Sequence, residues 1–141
     1  MSPETNIATV RRMIEQVYNK RHLDLIEEFF TDDVILHVVG IPSSSGLVTL
    51  QETIAKNLNA FPDFRLIFED QIAAGDKVAA RWTMTGTQMG KLFGIPATGK
   101  QVTESGMSFY RLANAKIAEL WLLANNLGMM QQLGAIPHGA A

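Results

Sequence analysis

The chain has 141 residues, of which 47% are hydrophobic, contains no cysteine and carries a formal net charge of −2. A chain of this length buries roughly 70% of the surface it exposes when unfolded, so residues 1–141 read as one domain around one core. The absent cysteines exclude disulfides, thiol nucleophiles and thiolate metal sites, and the interspersed charges leave no basic field for nucleic acid or an anionic membrane.

The N-terminal "MSPETNIATVRRMIEQ" lacks the apolar centre of a signal peptide, and no run approaches about 18 apolar residues. The reading is a soluble, cytoplasmic protein. Seven methionines within so hydrophobic a chain can fill a core and line an apolar cavity besides.

In "SPETNIATVRRMIEQVYNK", Ser2 is an N-cap, Pro3 takes the first helical position, and Ile7, Val10, Ile14, Val17 and Tyr18 recur at helical spacing. "LDLIEEFF" predicts a short second helix capped by Asp24, with Leu25, Ile26, Phe29 and Phe30 inward. "DVILHVVG" is β-branched and reads as a strand ended by Gly40 and Pro42. "PSSSG" reads as a loop, after which Thr49 and Glu52 form a T-x-x-E capping box for a helix striped by Leu50, Ile54, Leu58 and Phe61.

From Phe64 onward the apolar period changes from 3.6 to 2. "FRLIFEDQIAA", "KVAARWTMTGTQ", "QVTESGMSFYRL" and "KIAELWLLA" predict four strands joined by Gly75-Asp76, by "GKLFGIPATGK" and by "ANA" at 113–115. In "ANNLGMMQQLG", Asn125 or its neighbour caps a terminal helix carrying Leu127, Met130 and Leu133, which Gly134 stops. Helices first and an antiparallel meander after them make an α+β pattern, with helices on one face of a curved sheet.

Most conventional chemistry finds no footing. "GTQMGKLFGIPATGK" lacks the order of a phosphate loop and lies between strands, so its glycines shape a hairpin. His22, His37 and His138 match no metal spacing, and neither metal nor cofactor is expected. No serine sits in a G-x-S-x-G elbow, and without an identified base a serine nucleophile has no support.

Acid, base and hydrogen-bond chemistry inside a cavity remains. His37 lies in the first strand among apolar neighbours, where it can titrate near neutral pH or serve as a structural histidine bonded to a backbone carbonyl. By strand parity Val102, Glu104, Gly106, Ser108 and Tyr110 share one face, and Thr103, Ser105, Met107, Phe109 and Arg111 the other. A Glu104 aimed into an apolar cavity would have a raised pKa and act as acid or base; at a solvated strand edge it would do neither. Val78, Ala80, Trp82, Met84 and Gln88 likewise share a face, suited to a core or a pocket wall.

At "GTQMGKLFGIPATGKQV", "KIAELW" and "LGMMQQLG" the chain resembles the SnoaL-like polyketide cyclases of the NTF2-like superfold, and the likeness runs from Ile7 through "FPDFRLIFED" to "QLGAIP". That resemblance implies a cone-shaped α+β barrel, a deep apolar pocket between helices and sheet, and a homodimer packed through the outer sheet face. It also implies an intramolecular aldol cyclisation without metal or cofactor. Where the family commonly reads E-H-W-D, this chain reads Glu119, Leu120, Trp121 and Leu122, so a leucine stands at the acid/base aspartate. Gln88 and Ser108 stand where relatives carry histidines, and His37 matches a common family histidine.

On the resemblance, Glu104 and His37 are the catalytic candidates, with Tyr18, Trp82, Met84, Gln88, Ser108, Leu120 and Leu122 binding an apolar small molecule. Three readings stay open: a cyclase-like enzyme with Tyr18, Gln88 and Ser108 as donors to an enolate oxygen, an isomerase or epoxide hydrolase of the same fold, and a non-catalytic small-molecule binder. For the epoxide hydrolase, Arg81 and Asp76 are poor candidates because both fall off the pocket face.

Overall fold

A computed structural model describes residues 2–137, so His138 lies outside the described residues. Helix α1 (Pro3–Met13) starts as the sequence predicts, with the Ser2 hydroxyl accepting the Thr5 N–H at 3.1 Å. It does not continue as an α-helix. Ile14–Asn19 form a wider π-helical segment in which the Lys20 N–H reaches the Glu15 carbonyl, five residues back. Asn19 then accepts from the Leu66 N–H at 2.8 Å and donates to the Leu66 carbonyl at 2.9 Å, so one side chain does for that backbone what a paired strand would.

A 3-10 turn (Leu23–Leu25) leads into α2 (Ile26–Phe29) and strand β1 (Phe30–Val38). The expected Asp24 cap is not made, because Asp24 lies inside the 3-10 turn and α2 starts from Leu25 with no side-chain bond. Phe30 is buried as predicted, but as the first residue of the strand. The serine loop also differs from expectation: Ser44 and Ser45 form a two-residue strand, β2, pairing antiparallel with Leu36 and Ile35.

Helix α3 (Leu47–Ala60) begins two residues before Thr49, from Gly46 at φ 98°, a conformation glycine tolerates. The predicted capping box therefore does not form, and the Thr49 carbonyl instead accepts from Thr53 Oγ1 at 3.0 Å within the helix. Leu50, Ile54 and Leu58 make the buried stripe, and Phe61 is buried just past the helix end.

Strands β3 (Arg65–Ala74), β4 (Lys77–Thr87), β5 (Gln101–Ala113) and β6 (Lys116–Ala124) form the antiparallel meander. Strand β1 adds to β6 in parallel, giving an open six-stranded sheet in the order β2-β1-β6-β5-β4-β3. Register shifts at Phe68/Asp70 and Arg111/Leu112 bend the sheet. The β5–β6 hairpin turns on Asn114 and Ala115, both at positive φ (52° and 67°), the geometry of a two-residue turn that matches strand twist.

Helix α4 (Asn126–Gln132) is capped by Asn125, whose side chain accepts the Gly128 N–H at 2.9 Å, and Gly134 ends it at φ 79°. The cap turns Met129 and Leu133, four residues apart, into the core, while Leu127, expected on the apolar stripe, is exposed. Helix α1 packs on β3 and β4, α3 on β1 and α4 on β5. The fold is thus α+β, with N-terminal helices against a curved, mostly antiparallel sheet. Phe30 and Phe61 are almost completely buried between these layers, each contributing about 1.5–3 kcal/mol relative to an exposed ring.

Candidate active site

A cavity of about 240 Å³ lies between the helices and the inner face of the sheet. Strand alternation builds its walls. Trp82 and Met84 come from β4, Glu104, Ser108 and Tyr110 from β5, and Leu120, Leu122 and Ala124 from β6, all at every-second positions. The π-helical segment contributes Tyr18 and the loop after β4 contributes Leu92 and Phe93.

Glu104 is the one carboxylate on this lining. It is 8% exposed, and its Oε2 is buried with no hydrogen-bond partner. Burial pushes its pKa up to about 7, because a charge there has little water to solvate it. Met84 is its register partner on β4, so an apolar side chain sits beside the carboxyl where an ion pair would lower that pKa.

Ser108 is buried and accepts the Trp82 Nε1–H at 2.9 Å. Burial pushes Tyr110 up to about 12, with a Ser108 hydrogen bond pulling the other way, and burial together with the Tyr110 charge raises Tyr18 as well. Both phenols therefore stay protonated as hydrogen-bond donors through the neutral range. Opposite Ser108 in register stands Leu122, so the wall is apolar where the resemblance places a proton carrier.

Two expected site residues do not reach the cavity. Gln88 is fully buried, but its amide donates to the Gly90 and Ile95 carbonyls and accepts from the Thr98 N–H and hydroxyl, so it holds the β4–β5 loop together. His37 projects from the opposite sheet face, because β1 sends Leu36 and Val38 to the cavity and His37 between them the other way. There its Nε2 meets Glu119 Oε2 at 2.7 Å, its Nδ1 meets Ser43 Oγ at 2.6 Å, and its ring stacks on Trp121. Neither ring nitrogen bonds a backbone carbonyl, as the structural reading of this histidine required.

Hydrogen bonding to His37, and then to Arg111, holds the Glu119 pKa below the usual carboxylate range. Arg81 is exposed on β4 and Asp76 pairs with Lys77 at 3.7 Å in the hairpin turn; neither lines the cavity. Among the described residues no three metal-ligating side chains converge, and no helix is long and apolar enough to cross a membrane.

The sequence reading missed four polar lining residues: Thr53, Asn57, Tyr110 and Asn126. A signal existed for two of them. Tyr110 shares strand parity with Glu104, and Asn57 falls within the stripe formed by Ile54, Leu58 and Phe61.

The SnoaL-like polyketide cyclase family model matches residues 8–133. The chain belongs to this family. Among solved structures, it is similar to a candidate SnoaL-like polyketide cyclase from Jannaschia sp. CCS1, at 22% identity over 96% of this chain and 95% of that one, with a TM-score of 0.89. It is similar to AclR, a candidate hydroxylase from Streptomyces galilaeus, at 25% identity over 99% and 87% of the two chains and a TM-score of 0.87. A SnoaL-like polyketide cyclase from Agrobacterium tumefaciens superposes with a TM-score of 0.78 at 23% identity, over 95% and 100%. No curated protein matches the chain. A candidate cyclase and a candidate hydroxylase share this fold, so the fold by itself does not fix the reaction of this SnoaL-like chain.

Proposed function

We propose that this SnoaL-like chain is a cofactor-free cyclase that binds an apolar, ring-forming small molecule and moves a proton with Glu104. One observation carries the reading: a single carboxyl, unpartnered at Oε2, on a mostly apolar cavity wall, with a pKa of about 7. Such a group is present in both protonation states at neutral pH, as a catalyst that must take and return a proton requires. As carboxylate, Glu104 removes a proton next to a substrate carbonyl; the enolate attacks a second carbonyl of the same molecule, and the new alkoxide is protonated. Tyr18 and Tyr110 donate to the developing enolate oxygen. Atoms balance with no oxidant, reductant or metal.

The volume supports a modest substrate, since cavities that enclose drug-sized ligands run from about 300 to 1,000 Å³. A homodimer in the cytoplasm is part of the proposal: Met107, Phe109 and Leu123 are each more than half exposed on the outer sheet face, an apolar patch suited to a second copy.

Leu122 and Leu120 on the cavity wall favour a second reading, a non-catalytic binder of the same ligand class. A thermal-shift screen with aromatic polyketides, steroids and terpenoids tests both, because a ligand bound only by the folded chain raises the melting temperature. Turnover of a hit that falls about 100-fold in Glu104→Gln while the shift persists supports the cyclase. A shift without turnover supports the binder, and no shift with any compound removes both.

A further inference from the structure

We propose that Asn126 works beside Glu104 in the cavity: its amide donates to the carbonyl that the enolate attacks, and holds the new alkoxide where Glu104 returns the proton. This role rests on the cyclase reading of Glu104.

The two consecutive asparagines divide their work. The Asn125 side chain is committed to the helix cap, where it accepts the Gly128 N–H at 2.9 Å, and a Cβ at residue 128 would collide with it. Asn126, the first residue of α4, is half-buried and lines the cavity, and its amide bonds no group among the described residues. Its two N–H donors are therefore available to a ligand.

Backbone pairing sets Asn126 beside Glu104. Gly106 opposes Ala124 on β5 and β6, and the Asn125 N–H donates to the Ser105 carbonyl at 3.0 Å, so the pairing runs one residue past the strand. The next step of that register sets Asn126 across from Glu104, a position at which Cβ atoms of paired strands lie about 4.5–5.5 Å apart. Helix α4 is tied down on the far side as well: Gln132 accepts the Thr103 N–H and donates to the Thr103 carbonyl, each at 2.8 Å. These bonds to Ser105 and Thr103 bracket Glu104 and fix the helix that carries Asn126. On its other side Glu104 meets Met84, which offers no N–H or O–H donor.

The chemistry needs that proximity. When the α-carbon bonds to the second carbonyl carbon, the alkoxide oxygen lies two bonds from the carbon that lost its proton. The group that removed the proton can return it only if that oxygen is held at the same place. Asn126 Nδ2–H donates to the oxygen as its C=O bond opens, protonated Glu104 gives it the proton, and the carboxylate is restored. The product, a β-hydroxy ketone, is an isomer of the substrate. The substrate class follows as an uncharged compound with two carbonyls, because no Lys, Arg or His lines the cavity to neutralise a carboxylate or phosphate.

The full chain is tested with 2-methyl-2-(3-oxobutyl)cyclohexane-1,3-dione, an uncharged triketone that closes to a bicyclic ketol. Glu104→Gln should abolish turnover, and Asn126→Ala, checked for folding by circular dichroism, should lower kcat about 100-fold with little change in KM. Asn126→Asp keeps the shape and loses the donors, so it should be as slow. Its carboxylate should also raise the Glu104 titration midpoint, read by carbon-13 NMR of the carboxyl, by about one pH unit or more. An unchanged kcat in Asn126→Ala, on turnover that Glu104→Gln abolishes, overturns the Asn126 role and leaves the cyclase reading standing. A Glu104 midpoint unmoved in Asn126→Asp overturns it without any substrate. Turnover that survives Glu104→Gln, or none in the unaltered chain, fails the cyclase reading and the Asn126 role with it.

Discussion

Trp82 Nε1 donates to Ser108 Oγ at 2.9 Å, a diagonal bond from β4 to β5 that spans the register pair Trp82–Gly106. A Cβ built at Gly106 would fall on the Trp82 ring, so the glycine is what lets the indole lie across β5. Ser108→Ala leaves the buried indole N–H without a partner and should cost about 1–3 kcal/mol in urea unfolding. Gly106→Ala should cost at least as much by forcing the ring off its seat, and should shift the tryptophan fluorescence, which Ser108→Ala with the ring in place should change less.

The raised Glu104 pKa makes stability depend on pH in a definite direction. An unfolded glutamate titrates near about 4.3, while the folded one titrates at about 7. Between those values the native state binds more protons than the unfolded state, so stability falls as pH rises through that window and levels off above it. The loss sums to about 3–4 kcal/mol. Glu104→Gln should recover most of it at pH 8 and little at pH 4. Equal effects at both pH values in chemical denaturation would contradict this account of the carboxyl.

Gln88 closes the long hairpin from inside, so its loss should be felt in the loop. Gln88→Ala removes a fully buried amide that bonds the Gly90 and Ile95 carbonyls and the Thr98 N–H and hydroxyl, and should cost about 1–3 kcal/mol. Hydrogen exchange should accelerate across that segment. Because Leu92 and Phe93 line the cavity, ligand affinity should fall with it; exchange unchanged in residues 90–98 would show that the loop stands without the glutamine.

The exposed outer-face patch predicts self-association. Light scattering should give twice the 15.5 kDa chain mass, and Phe109→Glu should give the monomer, because a charge at the centre of a dimer interface is desolvated without a partner. A wild-type chain that scatters as a monomer at micromolar concentration would remove the dimer.

Much of the fold was legible along the chain because it rests on local periods. The change from 3.6 to 2 at Phe64 marked the meander, and strand parity grouped Trp82 with Met84, Glu104 with Ser108, and Leu120 with Leu122, three sets that the fold brings to the cavity. Helix beginnings were less legible. Gly46 and the 3-10 turn at Leu23–Leu25 displaced the caps expected at Thr49 and Asp24, since backbone geometry set by packing competes with a side-chain cap worth about 1 kcal/mol.

Parity in the sequence determined which residues share a strand face with Glu104 and with Leu122, and left open whether Glu104 meets a cavity or solvent. Only the tertiary structure decided what lies across from each one. Glu119 is 82 residues from His37, and they meet because β6, last in the sheet by sequence, inserts beside β1 in parallel. Gln88 has the parity of a wall residue but is consumed by a loop that folds back on it. Periodicity is a property of neighbours along the chain, whereas a hydrogen bond between distant residues depends on strand order and register, which the packing of the whole core selects.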